Sequence, residues 1–353
     1  MHPQLERRET RLLVVDPRHE RIAGRSMRNL PGLLRRGDLL VVNDAATLPA
    51  SLRGRTAYGE PIEVRLLGPE RDGAFSAVLF GRGDHRTRTE DRPAPPALET
   101  GERLAFGPQL TAAVVQRSQL SARLVELRFD QRGEALWRAL YAWGKPVQYA
   151  YRPEPLPLWS VQTAYAARPW ASEMPSAGRP LNLQILLGLA ARGVELATLT
   201  HAAGLSATGD PALDRALPLP ERYDLPEHSV QAIERTRRAG GRVIAVGTSV
   251  VRALEGAFQR GDGALHAGEA VTDLRITPQH ALRVVDGLLT GIHSPEESHF
   301  ELLGAFVAEG LLQQSHAYAR EHAYEPHEHG DECLILAGSL PQPSAATPER
   351  AAA

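Results

Sequence analysis

Residues 241–255, GRVIAVGTSVVRALE, have the residue types and order best suited to bind an anionic group. Residues 242–246 are predicted to form a buried strand, and Gly247, Thr248 and Ser249 lead from it into a helix. A helix that begins on small residues leaves several backbone N–H groups unpaired in its first turn. These groups suit a carboxylate or a phosphate, and Thr248 and Ser249 are residue types that cap helices. The alternative is a strand–helix unit with an ordinary cap.

Arg252 follows on the same predicted helix, where its guanidinium can pair with a carboxylate or phosphate of a ligand. The alternative is a pair with Glu255 or with another carboxylate on the surface. His293 is the predicted proton carrier, because the unperturbed pKa of histidine is about 6.5. The alternative for His293 is a structural role, in which Pro295 and a helix cap hold the ring.

Asn43 and Asp44 follow a predicted strand at 38–42. Ligands of α/β sheets gather beyond the carboxyl ends of the strands. Asn43 can hydrogen-bond a base or a sugar, and Asp44 can bind an ammonium group or act as a base. The alternative is a plain turn in which these side chains bond to their own backbone.

The elements that must position these residues fall into two kinds. From about residue 58 to 129, short β-like runs alternate with turn signals, which favours a small barrel or sandwich. Helices are then predicted at 133–143, 181–192, 228–239 and 297–310, and strands alternate with them. We therefore expect an α/β main domain built from both ends of the chain, with an inserted small β-barrel domain. The predicted boundaries are 1–56 and 131–340 for a barrel-like α/β catalytic domain, 57–130 for the inserted barrel, and 341–353 for a disordered tail.

Composition limits the class of protein. Forty basic and 42 acidic residues give a net charge of −2, which excludes a generally polybasic protein but not a local basic face for RNA. Cys333 is the one cysteine, so intrachain disulfides and cysteine-based zinc sites are excluded. No apolar run reaches the roughly 20 residues that a membrane helix needs, and no signal peptide is recognised. We expect a cytoplasmic monomer that does not bind membranes.

Several motifs, in order along most of the chain, resemble the S-adenosylmethionine:tRNA ribosyltransferase-isomerases of queuosine biosynthesis. The matching segments are RRGDLLVVNDAATLPASLRG, YGEPIEVRLL, VQTAYA, MPSAGRPLN, GGRVIAVGTSVVRALE, GLLTGIHSPEES and HGDECLIL. The resemblance implies an α/β domain with an inserted barrel. It implies transfer of the ribosyl part of S-adenosylmethionine to 7-aminomethyl-7-deazaguanine in the tRNA anticodon, and rearrangement of that sugar to give epoxyqueuosine, adenine and methionine. S-adenosylmethionine is then a substrate, and neither a bound cofactor nor a metal is implied.

The resemblance also assigns residues. Thr290 lies beside His293 in a matching motif, which makes Thr290, His293 and Asp44 the catalytic candidates. The remaining candidates for substrate binding are Asn43, Gln162, Tyr165, Ser176, Gly178, Gly247, Thr248, Ser249 and Arg252. Tyr165 can stack on a base or pack in the core. Glu63 also matches a family position and either pairs with an arginine or faces the cleft.

The sequence departs from the family in the segment MPSAGRPLN. Arg179 and Pro180 stand where the family has Leu-His, so a histidine that could move protons is replaced. This departure keeps two alternatives open: a paralogue that uses S-adenosylmethionine or a related nucleoside on a non-tRNA acceptor, and a non-catalytic nucleotide- or RNA-binding protein.

RNA contacts and a metal site have weaker sequence support. Arginine clusters occur at 35–36, at 82–92 and at 235–238, and the second is the best candidate to contact tRNA. The metal-ligand types near the C-terminus do not follow a standard zinc spacing, so we expect no metal; they are His322, His327, His329, Asp331 and Cys333.

Overall fold

The chain begins with elements of a large sheet. The computed structural model describes residues 9–69, 73–295, 298–326 and 329–340. Its first elements are β1 (Arg11–Asp16), β2 (Arg21–Ser26), α1 (Leu30–Leu33), β3 (Leu39–Asn43) and β4 (Ala45–Thr47). Every residue of β3 is buried, which explains why this strand is a continuous apolar run up to its last residue.

Six strands then close into a small barrel: β5 (Ser51–Thr56), β6 (Pro61–Pro69), β7 (Ala74–Phe80), β8 (Arg103–Gly107), β9 (Leu110–Arg117) and β10 (Leu124–Phe129). Neighbouring strands pair antiparallel, and β10 closes the ring by pairing with both β7 and β9. In β9, Leu110, Ala112 and Val114 face the core and alternate with less buried residues. This period of two is the pattern that the sequence carries for the barrel.

The chain then returns to the sheet. Its remaining elements are α2 (Gly133–Trp143), β11 (Arg168–Ala171), α3 (Leu183–Ala191), β12 (Glu195–His201), α4 (Pro211–Ala216), β13 (Glu221–Leu225), α5 (Glu227–Arg238), β14 (Val243–Val246), α6 (Thr248–Arg260), β15 (Gly268–Thr272), β16 (Gly287–Gly291), α7 (Ser298–Leu303), α8 (Glu309–Glu321) and β17 (Glu332–Leu336). None of the described helices is both long enough and apolar enough to cross a lipid bilayer.

Within the described residues the large sheet has nine strands, in the order β15-β13-β12-β3-β14-β16-β17-β1-β2. Its central strands β12, β3, β14 and β16 are parallel, so their carboxyl ends lie at one edge. Leu39 and Val41 of β3 face a core shared with α5, α6 and α8, whereas Leu40 and Val42 face a core shared with α1 and α3. Helices therefore cover both faces of the sheet.

The predicted fold class, an α/β domain from both chain ends with an inserted β-barrel, is confirmed. Two details differ from the predicted organisation. The edge strands β15 and β2 do not pair with each other in the described residues, so the α/β sheet is open where a barrel-like one was predicted. The barrel strand β5 begins at Ser51, before the predicted boundary at residue 57. The division into domains stays a prediction, and the predicted tail lies outside the described residues.

The predicted helix at 297–310 is wrong in its extent. Helix α7 ends at Leu303, and α8 begins only at Glu309. Between them the backbone tightens, because Ala305 and Phe306 donate to carbonyls three residues back. Gly304 lies against Pro278, where an added Cβ would be 2.7 Å from Pro278 Cγ. The break between the two helices thus falls at a glycine, a residue type that disfavours helix.

A candidate active site between the sheet and the barrel

A cavity of about 830 Å³ lies beyond the carboxyl ends of the parallel strands. Its walls come from segments that follow β11, β12 and β14 and from the end of β16. The barrel contributes residues 88–90 from its loop, and the connection back to the sheet contributes 149–151. The edge of an α/β sheet is where ligand sites are expected. Here the barrel side of the molecule closes over that edge.

The turn after β14 forms one wall. Gly247 has φ +92°, a conformation that favours glycine, and donates its N–H to the Leu289 carbonyl at 2.8 Å. Helix α6 begins at Thr248, and the N–H groups of Thr248 and Ser249 have no partner within the described residues. Unpaired N–H groups at a helix start on a cavity wall can bind an anion.

The capping prediction for this turn is wrong. Gly247 is the N-cap residue, and no side chain bonds to the first turn of α6. The sequence favours Thr248 and Ser249 as caps because hydroxyl side chains usually serve this role. The left-handed conformation at Gly247 places the start of the helix one residue earlier than a hydroxyl cap would. Thr248 and Ser249 thus lie in the first turn and line the cavity.

Arg252 also lines the cavity, but its guanidinium already has partners. It donates to the Glu221 carboxylate and to the Leu274 carbonyl at 2.9 Å. Arg252 thus pairs with another carboxylate of the protein, the half-buried Glu221, and not with Glu255, which instead accepts the backbone N–H groups of residues 283–285. Arg252 is 5% exposed. A ligand carboxylate at this position would therefore compete with Glu221 for the guanidinium.

Glu221 joins Arg252 to a buried histidine. His201 Nε2 lies 3.4 Å from the Glu221 carboxylate, and burial lowers the pKa of His201 to about 4. The N–H of Gly204 also donates to Glu221, at 2.7 Å. Glu221 lines both the main cavity and an adjoining cavity of about 780 Å³ toward the barrel. The carboxylate is therefore the centre of a polar cluster between the two cavities.

Thr290 and His293 meet at the end of β16. Thr290 Oγ1 lies 2.9 Å from His293 Nε2, and both residues line the cavity. The His293 ring stacks on His299 with centroids 5.0 Å apart. A histidine that is bonded to a hydroxyl and faces a cavity can accept or donate a proton there. Thr290 and His293 also lie in one sequence motif, GLLTGIHSPEES.

Asn43 and Asp44 lie outside the residues that line the cavity. The Asn43 amide accepts from the N–H of Ala45 and His201 and donates to the His201 carbonyl at 3.0 Å. It thereby ties β3 to β12. Asp44 accepts from Thr200 Oγ1 at 2.6 Å, and burial raises the pKa of the Asp44 carboxyl. Any role of these two residues in the chemistry stays a prediction.

Gln162, Tyr165 and Gly178 support the site from outside the cavity. Gln162 accepts from the Thr47 N–H at 2.9 Å and donates to the Thr47 carbonyl at 3.0 Å. Tyr165 packs against Gly178, its hydroxyl has no hydrogen-bond partner in the described residues, and burial raises its pKa. Ser176, by contrast, lines the cavity. Gln162, Tyr165 and Gly178, which were predicted to bind substrate, are not among the residues that line the cavity.

One carboxyl group in the cavity wall, that of Glu173, is not predicted from the sequence. The Glu173 carboxyl accepts from the Tyr149 hydroxyl and from the Ser206 N–H at 3.0 Å, and burial raises its pKa. All three residues line the cavity. They come from separate parts of the chain, so no local spacing could have indicated the cluster. The acidic residue just before the MPSAGRPLN motif is the only sequence signal.

The arginine clusters take different roles. Arg92 is 4% exposed and donates to the Glu63 carboxylate, which also accepts from the buried Arg65. Glu63 thus pairs with arginines and does not line the cavity, which decides between its two alternatives. Arg88 is exposed and lies on the cavity wall, where it pairs with Glu90.

The other arginine clusters lie on charged surfaces. Arg35 pairs with Asp38, and Arg235 and Arg238 pair with acidic residues on the surface. Arg179, which lies outside these clusters, donates to the His329 carbonyl at 3.0 Å.

The residues near the C-terminus do not form a metal site within the described ranges. Asp331 pairs with Arg11, and His322 Nδ1 lies 2.9 Å from the Tyr318 carbonyl. Cys333 is buried in β17, where burial raises its pKa to about 12. His327 lies outside the described residues.

Comparison with known proteins identifies the family. The family model for queuosine biosynthesis protein matches residues 1–335. S-adenosylmethionine:tRNA ribosyltransferase-isomerase from Thermus thermophilus is 34% identical to this chain. The matched region covers 90% of this chain and 89% of the Thermus protein. The protein of the same name from Gloeobacter violaceus is 35% identical, and the matched region covers 96% of this chain and 92% of that protein. The crystal structure of an S-adenosylmethionine tRNA ribosyltransferase from Thermotoga maritima is 24% identical, covers 95% of each chain and has a TM-score of 0.49. The chain therefore belongs to the S-adenosylmethionine:tRNA ribosyltransferase-isomerase family of queuosine biosynthesis, a family of enzymes.

Proposed function

We propose that this enzyme transfers and isomerises the ribosyl moiety of S-adenosylmethionine onto 7-aminomethyl-7-deazaguanine in the tRNA anticodon, giving epoxyqueuosine, adenine and methionine. The observation that carries the proposal is the meeting of two family motifs in one cavity. The turn at 247–249 and the pair Thr290–His293 line the same space at the sheet edge.

Three groups that line the cavity support the proposal. The N–H groups of Thr248 and Ser249 suit the carboxylate of the methionine end. His293, bonded to Thr290, is placed to accept the proton that is removed next to the sulfonium. The exposed Arg88 at the barrel loop suits an RNA phosphate at the cavity. S-adenosylmethionine acts as a substrate that is consumed.

Adenine release tests the proposal. The protein is incubated with S-adenosylmethionine and tRNA that carries 7-aminomethyl-7-deazaguanine, and free adenine and the modified nucleoside are measured by mass spectrometry. We expect both products in equal amounts, and neither product with tRNA that carries unmodified guanine. Absence of both products with the modified tRNA contradicts the proposal.

The same experiment separates the two alternatives. The departure at Arg179, whose guanidinium bonds to the His329 carbonyl, is the observation that favours a non-tRNA acceptor. Adenine release with another amine acceptor, but not with the tRNA, supports that paralogue. Binding of tRNA or nucleoside without adenine release supports the non-catalytic binding protein.

A further inference from the structure

The Glu173 carboxyl lies in the cavity wall and forms no ion pair with the residues that the structure describes. Tyr149 and the Ser206 N–H donate to its Oε1, and no basic side chain in the described part of the chain forms an ion pair with it. The Arg65 guanidinium attracts Glu173 from outside ion-pair distance, but it stacks on the Tyr149 ring at 5.1 Å and is bonded to Glu63. An ionised carboxylate has about four acceptor positions. These two donors and the Ser206 hydroxyl, which also bonds to this carboxyl, leave about one of these positions open.

A carboxylate in this setting is stabilised by a cation that arrives with the ligand. Buried charges in proteins are ordinarily paired, because removing an unpaired charge from water is costly. The hydroxyl oxygens of Tyr149 and Ser206, which also lie in the wall, can accept hydrogen bonds and so favour a group that carries its own N–H donors. A protonated amine has both the charge and the donors.

Glu173 also lies near the turn at Gly247 that begins α6. Ala177, four residues after Glu173, approaches Gly247 closely, since a Cβ on Gly247 would be 3.8 Å from the Ala177 Cβ. Four residues span at most about 14 Å. A carboxylate bound at the start of α6 and an amine bound at Glu173 would thus lie in the same cavity.

We infer that Glu173 is the residue that selects the acceptor, by binding its protonated primary amine and accepting one proton from it. This rests on the proposed function. The step breaks one N–H bond of the ammonium and forms one O–H bond on Glu173, which yields a neutral amine and a neutral carboxylic acid. The freed lone pair makes the amine a nucleophile. Tyr149 is a positioning residue, because it holds the carboxyl in the wall.

The test compares two free bases that differ in the amine alone, 7-aminomethyl-7-deazaguanine and 7-methyl-7-deazaguanine, by calorimetry at neutral pH. The wild-type protein is expected to bind the amine-bearing base at least about tenfold more tightly. Glu173→Gln keeps the shape but removes the charge, and it is expected to reduce this ratio to near one. Glu134→Gln makes the same change on the exposed surface of α2 and keeps the wild-type ratio.

Catalysis provides the second measurement. With the modified tRNA, Glu173→Gln is expected to lower kcat for adenine release at least tenfold, while the Kd for S-adenosylmethionine is unchanged. Tyr149→Phe is expected to give a smaller loss in the same direction. Equal discrimination of the two bases by wild type and Glu173→Gln, or no discrimination by the wild type, overturns the inference even when adenine is released. Absence of adenine release from the wild type contradicts the proposed function instead.

Discussion

His293 is the side chain whose local geometry best suits proton transfer. Its Nε2 lies 2.9 Å from Thr290 Oγ1, which fixes the ring orientation at the cavity wall. His293→Asn keeps one hydrogen-bonding atom but removes the proton-accepting nitrogen, so we expect kcat for adenine release to fall about 10²- to 10⁴-fold. The Kd for S-adenosylmethionine, measured by calorimetry, is expected to change little. His228→Asn, on the exposed face of α5, serves as the control, and equal rates for the two variants contradict the assignment.

His201 gives a separate prediction that concerns stability. Its folded pKa of about 4 lies below the unfolded value near 6.5. Between these values the unfolded chain binds more protons, so the free energy of unfolding falls as the pH falls. From pH 7.5 to 5 this group alone removes about 2 kcal/mol. Urea unfolding at both pH values is expected to show a smaller loss for His201→Gln.

The control for this measurement is His228→Gln. That side chain is exposed, and its substitution is expected to leave the wild-type pH dependence unchanged. A wild-type difference between the two pH values that persists in His201→Gln assigns the pH dependence to other groups.

The sequence predicts residue types at the site better than it predicts the direction in which they point. Thr290 and His293 are three residues apart, and a motif can bring such neighbours together. Asn43 and Gln162 are plausible ligand contacts by type, yet their amides are used by the backbone of neighbouring strands. Whether a polar residue at a strand end faces ligand or backbone depends on partners that are far away in sequence. For the same reason Glu173, whose partners are distant in the chain, is not found.

At the scale of elements, period and turn residues identify most of the helices and strands. Helix α2 matches its predicted range at both ends, because an amphipathic pattern of eleven residues is a strong signal. The separation of α7 from α8 falls at Gly304, a residue type that disfavours helix, and Gly304 also lies against Pro278, which is distant in the chain. The open edge of the large sheet also depends on long-range pairing.

The barrel supplies a prediction at this scale. Gly54 of β5 lies under β8, where an added Cβ would be 2.4 Å from the Ala105 carbonyl oxygen and 2.6 Å from Phe106 Cδ1. Gly54→Ala is therefore expected to lower the free energy of unfolding by about 1–3 kcal/mol, as measured by chemical denaturation. A Cβ added at Gly310 in α8 has no described atom within 4 Å. Gly310→Ala is therefore expected to raise the free energy of unfolding by about 0.5–1 kcal/mol. Equal effects of the two substitutions contradict the close approach of β5 and β8.

At the scale of the whole molecule, two bodies of secondary structure form one cavity. The net charge of −2 means that any attraction to RNA must come from local basic groups, and a basic group on the cavity wall is the first candidate. Arg88 lies in that position. Arg88→Ala is expected to weaken tRNA binding and to reduce the slope of log K against log salt by about 0.7–1. Arg128→Ala, on the exposed side of β10, is expected to leave the slope unchanged. An unaltered slope in Arg88→Ala places the RNA elsewhere.

The single cysteine of the chain, Cys333, can report how often the folded sheet opens. Cys333 lies in β17, between β16 and β1, deep in the large sheet. A thiol reagent needs both the ionised sulfur and access to it, and the folded state withholds both. Alkylation of wild-type protein, without any engineered label, will therefore proceed only when the centre of the sheet opens. Its rate reports how often the catalytic scaffold comes apart, and how far a bound nucleoside delays that event.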